Sequence, residues 1–141
     1  MSNVMWSLLI GLFFIGMTDD NRIVPVGESP EQVSLSTLLA HPIRYHKKLV
    51  LVRGLVTQPE LHLDETQLVI NFVFVLKDGS DHLIVFGKHD RTLGTIQIET
   101  DARVEVIGVF WKDRFAHNFH FHNNLEALRV TAYPPLTPDT T

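Results

Sequence analysis

The chain has 141 residues, a formal net charge of −4 and no cysteine. The length suits one folded domain with a short appendage, and the lack of cysteine excludes disulfide bonds, thiol nucleophiles and metal sites built on thiolates. The negative net charge argues against a broad basic surface, so we expect no nucleic-acid partner.

The N-terminal residues 4–17, VMWSLLIGLFFIGM, carry no charge and are followed closely by two aspartates. With their flanking residues they approach the length that a helix needs to cross the hydrocarbon core of a bilayer. We therefore predict a membrane anchor over residues 1–18, with a cleaved signal peptide or a helix buried in the domain as the alternatives. The predicted anchoring side chains are Trp6, Leu9, Leu12 and Phe13.

An N-terminal anchor of this kind predicts a single-pass protein of the cell membrane, with its folded domain on the extracytoplasmic, periplasmic side. Residues 19–32 are polar and contain two prolines and a glycine, which predicts a linker. The folded domain is expected over residues 33–133, and residues 134–141 are expected to form a flexible tail.

The domain is predicted to open with a short helix, because Ser34 suits a helix N-cap and the His41-Pro42 pair disfavours further helix. Strands are predicted at residues 49–57, 67–76 and 82–86, where apolar residues dominate. The second and third strands are joined by an Asp-Gly turn signal, and Gly54 suits a bend within the first.

The stretch from residue 102 to residue 130 predicts a final hairpin. Residues 104–111 alternate with the period of a pleated strand, and residues 112–114, Lys-Asp-Arg, interrupt that pattern as a turn would. The returning strand is expected to end at Tyr133-Pro134, since proline stops a strand.

Five strands with a bend in the first fit a small closed barrel of the OB type. A seven-stranded sandwich would need more strand signals than the chain contains. The predicted fold class is therefore mainly β: a five-stranded OB-type barrel with a short N-terminal helix, preceded by a single hydrophobic, transmembrane helix.

Residues 35–56, LSTLLAHPIRYHKKLVLVRGLV, resemble the opening of bacterial OB-fold proteins, in which a short helix, a proline, a tyrosine and a basic pair precede a strand with an internal glycine. Residues 102–111, ARVEVIGVFW, are similar to their fourth strand. The resemblance covers residues 33–133 and implies the same barrel.

A membrane anchor followed by an OB barrel is also similar to the haem chaperone of cytochrome c maturation. That family attaches haem through the histidine of a His-Asp-x-x-Tyr motif after the last strand. Here residues 131–141 contain Tyr133 but no histidine, so haem attachment is not expected.

Three histidines near the end of the chain are candidate metal ligands. Strand alternation places His120 and His122 on one face, opposite Phe119 and Phe121, with His117 just upstream. Imidazole nitrogens suit zinc or copper, but no established metal-binding spacing accompanies them. We expect no cofactor, and a zinc or copper site at these three histidines remains the alternative.

No catalytic motif is present, so the protein is predicted not to be an enzyme. Aromatic residues and an arginine cluster around the turn of the final hairpin, and such residues often form protein interfaces. The predicted protein-binding residues are Trp111, Arg114, Phe115 and Phe119. The main prediction is an accessory subunit of a larger membrane complex, whose partners are the membrane and other membrane subunits.

Two other functions remain open. One is a periplasmic metal-binding protein that uses the histidine hairpin. The other is a single-stranded nucleic-acid-binding OB domain, because OB barrels stack bases on aromatic residues within a basic groove. The aromatic and basic candidates for such a groove are Phe72, Phe74, Trp111, Phe115, Lys47, Lys48, Arg53 and Lys88.

Overall fold

The structure, a computed structural model, describes residues 29–134 except Gln97 and His117. The predicted anchor, with Trp6, Leu9, Leu12 and Phe13, lies outside the described residues, as does most of the predicted linker and tail. No helix within the described part of the chain is long and apolar enough to cross a membrane. The predicted location at the cell membrane therefore stays a prediction.

The described chain forms six strands, two short helices and one turn of 3₁₀ helix. In chain order these are β1 (Glu31–Gln32), α1 (Leu35–Ala40), α2 (Pro42–Tyr45), β2 (Leu49–Leu63), β3 (Val69–Asp78), β4 (Asp81–Asp90), the 3₁₀ turn (Arg91–Leu93), β5 (Arg103–Ala116) and β6 (Phe119–Ala132). The helix α1 begins as the sequence predicts, since the Ser34 side chain accepts a hydrogen bond from the Thr37 backbone N–H at 3.1 Å.

The long strands close into a barrel with the strand order β2-β3-β4-β6-β5, and β5 pairs again with β2. Neighbouring strands are antiparallel except for β4 and β6, which run parallel. The mainly β, OB-like prediction is confirmed. The sheet has a sixth strand, because Glu31–Gln32, at the end of the predicted linker, pair in parallel with Val50 and Leu51 of β2.

Alternate side chains of the long strands fill the barrel, and α1 contributes two leucines to the same core. A fully buried apolar side chain of this size contributes about 1.5–3 kcal/mol relative to an exposed one, so this interior supplies most of the stability. The principal core residues are Leu35, Leu38, Val50, Val52, Val56, Phe72, Phe74, Leu76, Leu83, Val85, Val104, Val106, Phe110, Leu125 and Ala127.

Three strands run further than their apolar patterns indicate. The strand β2 continues to Leu63 through a bulge near Gln58, whose φ is +49°, and β4 continues to Asp90. The turn predicted at residues 112–114 is wrong, because β5 extends to Ala116, and Asp113 and Arg114 pair with His122 and Phe121 of β6. Cross-strand hydrogen bonding sustains these polar extensions where no apolar pattern marks them.

Gly54 lies where β2 exchanges one partner for another. Residues 49–55 pair with β5, and from Leu55 onwards β2 pairs with β3. A Cβ atom built at Gly54 would lie 2.7 Å from the backbone oxygen of Lys77. The bend predicted at this glycine is therefore a site of close backbone approach.

Replacing Gly54 with alanine is expected to lower the free energy of unfolding by about 1–3 kcal/mol, because the new methyl group would push β2 and β3 apart. Gly79→Asn is the control, since φ is +61° there, nothing lies within 4 Å of its Cβ position, and asparagine tolerates this conformation. Urea unfolding measures both variants. Equal stability of Gly54→Ala and wild type would contradict the close approach.

Candidate functional site

The outer face of β3 and β4 carries a mixed row of side chains. Asn71 lies opposite Lys88 on one side of the strands, and on the same outer face Val73 lies opposite Phe86. His62 of β2 extends the polar row, because it pairs with Asn71. Val73 and Phe86 are buried, whereas Lys88 is exposed, so the polar row forms the accessible part of this face.

The tip of the β5–β6 hairpin has two different faces. Arg114 lies opposite Phe121 across the hairpin, and its guanidinium carbon lies 4.8 Å from the ring centre of Phe86 and 5.8 Å from that of Trp111. This side of the hairpin therefore faces the barrel, and we call it the barrel-facing side. Phe119 lies two residues from Phe121, hence on the same side, and is 50% exposed.

Trp111 is held within the fold. Its indole Nε1 donates a hydrogen bond to Glu126 Oε1 at 3.3 Å, and its ring meets that of His46 edge-on at 6.0 Å. The Nδ1 atom of His46 in turn accepts a hydrogen bond from the Lys112 backbone N–H at 3.0 Å. These contacts fix the base of the hairpin against the segment before β2.

The four residues predicted to bind a partner protein do not form one patch. Phe115 pairs with His120 and is 73% exposed on the solvent-facing side of the hairpin. Phe119 and Arg114 lie on the barrel-facing side, and Trp111 is half-buried. The sequence shows their closeness along the chain, but the pairing register divides them between two faces.

The solvent-facing side carries a cluster of titratable groups around Asp113. The Oδ1 atom of Asp113 lies 2.8 Å from His120 Nε2 and 3.3 Å from His122 Nδ1. The Lys112 ammonium donates to Oδ2 of the same carboxylate at 2.9 Å. The ring of Phe115 stacks on that of His120, with centres 4.3 Å apart.

The structure brings together two of the three predicted metal ligands, His120 and His122, while His117 lies outside the described residues. Asp113 was not among the predicted metal ligands, because the sequence pattern predicts a turn at this residue. The sequence signal for the actual turn was Asn118, since asparagine suits a left-handed turn position. Its φ in the structure is +68°. A turn there makes Asp113 the cross-strand partner of His122.

Hydrogen bonds from Lys112 and then His120 lower the pKa of Asp113 from 3.8 to about 2. The Asp113 carboxylate is therefore charged at neutral pH. Because the folded pKa lies below the ordinary value, these interactions are fully present above about pH 4 and are lost as the pH falls through about 2.

We expect the Asp113 side-chain carboxyl to titrate with a midpoint of about 2 when followed by carbon-detected NMR. Lys112→Ala should raise this midpoint towards 3.8 more than His120→Ala does, because the lysine makes the larger contribution. Glu99, an acidic residue outside the cluster, serves as an internal reference. A wild-type midpoint near 3.8 would show that Lys112 and His120 do not lower the pKa of Asp113.

The β2–β3 turn is ordered by its own hydrogen bonds. The Asp64 carboxylate accepts hydrogen bonds from Thr66 Oγ1 at 2.8 Å and from the Val69 N–H at 3.3 Å, and the first of these is the main cause that lowers the pKa of Asp64. Arg91 donates to the Gln67 carbonyl at 2.9 Å. This turn and the β5–β6 hairpin lie at opposite ends of the strands.

A second group of cations lies near Gly54, at the end of β3 and β4 that is joined by the β3–β4 turn. Arg53, Lys77, Arg103 and Tyr133 line a groove of about 300 Å³. The Arg53 guanidinium lies over the Tyr133 ring at 4.0 Å and donates to Glu105 at 2.9 Å. Part of the charge in this groove is therefore neutralised.

A comparison with solved structures finds a similar fold in a crystal structure described as an aspartyl-tRNA synthetase from Leishmania major Friedlin. The identity is 19% and the TM-score 0.53, over 82% of this chain and 23% of that chain. Asparaginyl-tRNA synthetase from Pyrococcus horikoshii matches with 12% identity and a TM-score of 0.47, over 77% of this chain and 24% of that chain. No protein-family model and no curated protein matches.

The chain thus spans about a quarter of the length of these synthetases. The Leishmania match supports the OB-like fold and conflicts with the expectation of no nucleic-acid partner, whereas the predicted membrane and membrane-subunit partners stay predictions. A tRNA synthetase acts on tRNA, and nucleic acid is the class of partner that the net charge had argued against. The net charge was a poor guide to the partner, because a total of −4 does not describe the charge of one face.

Proposed function

We propose that this domain is a binding module for single-stranded nucleic acid, and that the strand crosses the outer face of β3 and β4. OB barrels bind oligonucleotides on their second and third strands, between the loop after the first strand and the loop between the last two. In this barrel those elements are β3, β4, the β2–β3 turn and the β5–β6 hairpin.

The observation that carries the proposal is the barrel-facing side of the hairpin. It presents the half-exposed ring of Phe119 on the same side as Arg114, whose guanidinium lies over Phe86 on the outer face of β4. An exposed aromatic ring beside a cation is the arrangement that stacks a base and contacts its phosphate. The contact between Arg114 and Phe86 holds the guanidinium over the outer face of β4, and Phe119 lies on the same side of the hairpin.

The polar row on β3 and β4 supplies the remaining contacts. Lys88 is exposed and suits a phosphate, while Asn71 and His62 beside it carry donors and acceptors that suit base edges or sugar hydroxyls. Lys112 adds little to this face because its ammonium is paired with Asp113 on the solvent-facing side. Among the described residues, we assign Lys88 and Arg114 to the proposed path, and Arg114 already contacts Phe86.

This small number of cations predicts a shallow dependence on salt. Each phosphate neutralised on a single strand contributes roughly −0.7 to the slope of log K against log salt concentration, so two cations give about −1.4. Stacking therefore carries much of the affinity, which is compatible with the overall charge of −4. The fold shared with a tRNA synthetase supports RNA as the first ligand to test.

We expect Phe119→Ala to weaken binding of a fluorescein-labelled single-stranded RNA of about ten nucleotides by about 1–3 kcal/mol, since the variant removes a stacking ring. Fluorescence anisotropy of the full chain measures the affinity. Ile43→Ala is the matched control, because Ile43 is a 79% exposed apolar side chain on α2, outside the proposed face. Equal effects of the two variants, or no binding by the wild type at low salt, would contradict the proposal.

Lys88→Ala should reduce the slope of the salt dependence by about 0.7, because one phosphate contact is lost. Arg103→Ala removes an exposed cation from the groove near Gly54 and should leave the slope unchanged. The same anisotropy assay, repeated over a series of salt concentrations, measures both slopes. If only Arg103→Ala reduced the slope, the path across β3 and β4 would be contradicted, and the nucleic acid would bind in the groove near Gly54.

A further inference from the structure

We infer that Asp113, His120 and His122 form a binding site for a divalent first-row transition-metal ion, of which zinc and copper are the probes. The site lies on the solvent-facing side of the β5–β6 hairpin, whereas Phe119 and Arg114 lie on the barrel-facing side. This inference goes beyond the proposed nucleic-acid binding and does not depend on it.

The spacing of the donor atoms fits one ion. Each of the three side chains offers one ligand atom, and these atoms all lie within 4.8 Å of one another. Asp113 Oδ1 lies 2.8 Å from His120 Nε2 and 3.3 Å from His122 Nδ1. Bonds of about 2.0–2.2 Å in a tetrahedral zinc site put neighbouring donor atoms roughly 3.3 Å apart. Small side-chain rotations therefore convert the present cluster into a ligand set.

The chemistry of the donors selects the class of metal. Two imidazole nitrogens with one carboxylate oxygen suit zinc and copper, while magnesium and calcium prefer sites made of oxygen ligands. Three protein ligands leave coordination positions for water or for a group from another molecule. The donor set therefore predicts an open site that prefers copper to zinc and does not retain magnesium.

The surroundings hold the donors in place before a metal arrives. Phe115 stacks on the His120 ring with an interplanar angle of 8°, which restricts the rotation of that imidazole. Lys112 donates to Oδ2 of Asp113 at 2.9 Å, so Oδ1 remains directed at both histidines. Such outer contacts orient ligands and raise metal affinity.

The cluster also has a metal-free explanation, in which protonated histidines form ion pairs with Asp113. Among the described residues, the charged or titratable groups that contact one another in this cluster are Lys112, Asp113, His120 and His122. Ion pairing requires charged imidazoles and strengthens as the pH falls, whereas a metal requires neutral imidazoles and binds more weakly as the pH falls. The metal site therefore predicts zinc binding that weakens as the pH falls, whereas ion pairing alone predicts no zinc binding.

Isothermal titration of the full chain with zinc chloride at pH 7.5 tests the site without any nucleic acid present. We expect one zinc ion per chain, tighter binding of copper, no measurable binding of magnesium, and weaker zinc binding at pH 5.5. His122→Ala and Asp113→Asn should each weaken zinc binding about tenfold or more. His122 is exposed and Asp113 only partly buried, so both variants are expected to fold, and thermal melts that match the wild type would confirm this.

His41→Ala is the control, because it removes an exposed histidine whose side chain makes no capping hydrogen bond. Phe119→Ala should keep full zinc affinity, so loss of nucleic-acid binding and loss of metal binding are distinguishable. Copper should broaden the NMR signals of Asp113, His120 and His122 before others. Absence of stoichiometric zinc in the wild type, or an equal loss in His41→Ala and His122→Ala, would overturn the site.

Discussion

The exchange of pairing partners along β2 is the constraint on which the rest of the structure depends. The first half of β2 pairs with β5 and the second half with β3, and the change occurs at Gly54, where only a hydrogen atom fits beside the Lys77 carbonyl. Because one strand serves both neighbours, the sheet closes and its apolar face becomes an interior. Closure also leaves the outer face of β3 and β4 between the two long hairpins, where the proposed ligand path lies.

The β5–β6 hairpin extends this closed barrel into a two-sided surface. Alternation along its strands separates Arg114 and Phe119 from Asp113, Phe115, His120 and His122. Arg114 lies over the rings of Phe86 and Trp111, and Trp111 is hydrogen-bonded to Glu126, so the barrel fixes the orientation of the tip. One short element thereby carries the proposed nucleic-acid contact on one side and the proposed metal site on the other.

Local arrangement outweighs overall composition at both sites. The net charge of −4 describes the whole chain, whereas a ligand on β3 and β4 meets the exposed Lys88 together with Arg114 over Phe86. The histidines near the end of the chain acquire a chemical role only because Asp113, paired with a lysine on its other oxygen, lies between them. In both places the cross-strand register decides which charges meet.

The sequence by itself determined the class of fold and the position of the main strands. Apolar runs, the Ser34 cap and the Asp-Gly turn are local signals, and they indicate a helix and strands of an OB-type barrel. Tertiary structure alone decided where the polar strand extensions end, because backbone pairing rather than burial stabilises them. It therefore placed Asp113 in a strand instead of a turn, put Phe115 and Phe119 on different sides of the hairpin, and brought Arg114 onto β4. These contacts join residues that are far apart in the chain, or residues across a pairing register that no local pattern encodes.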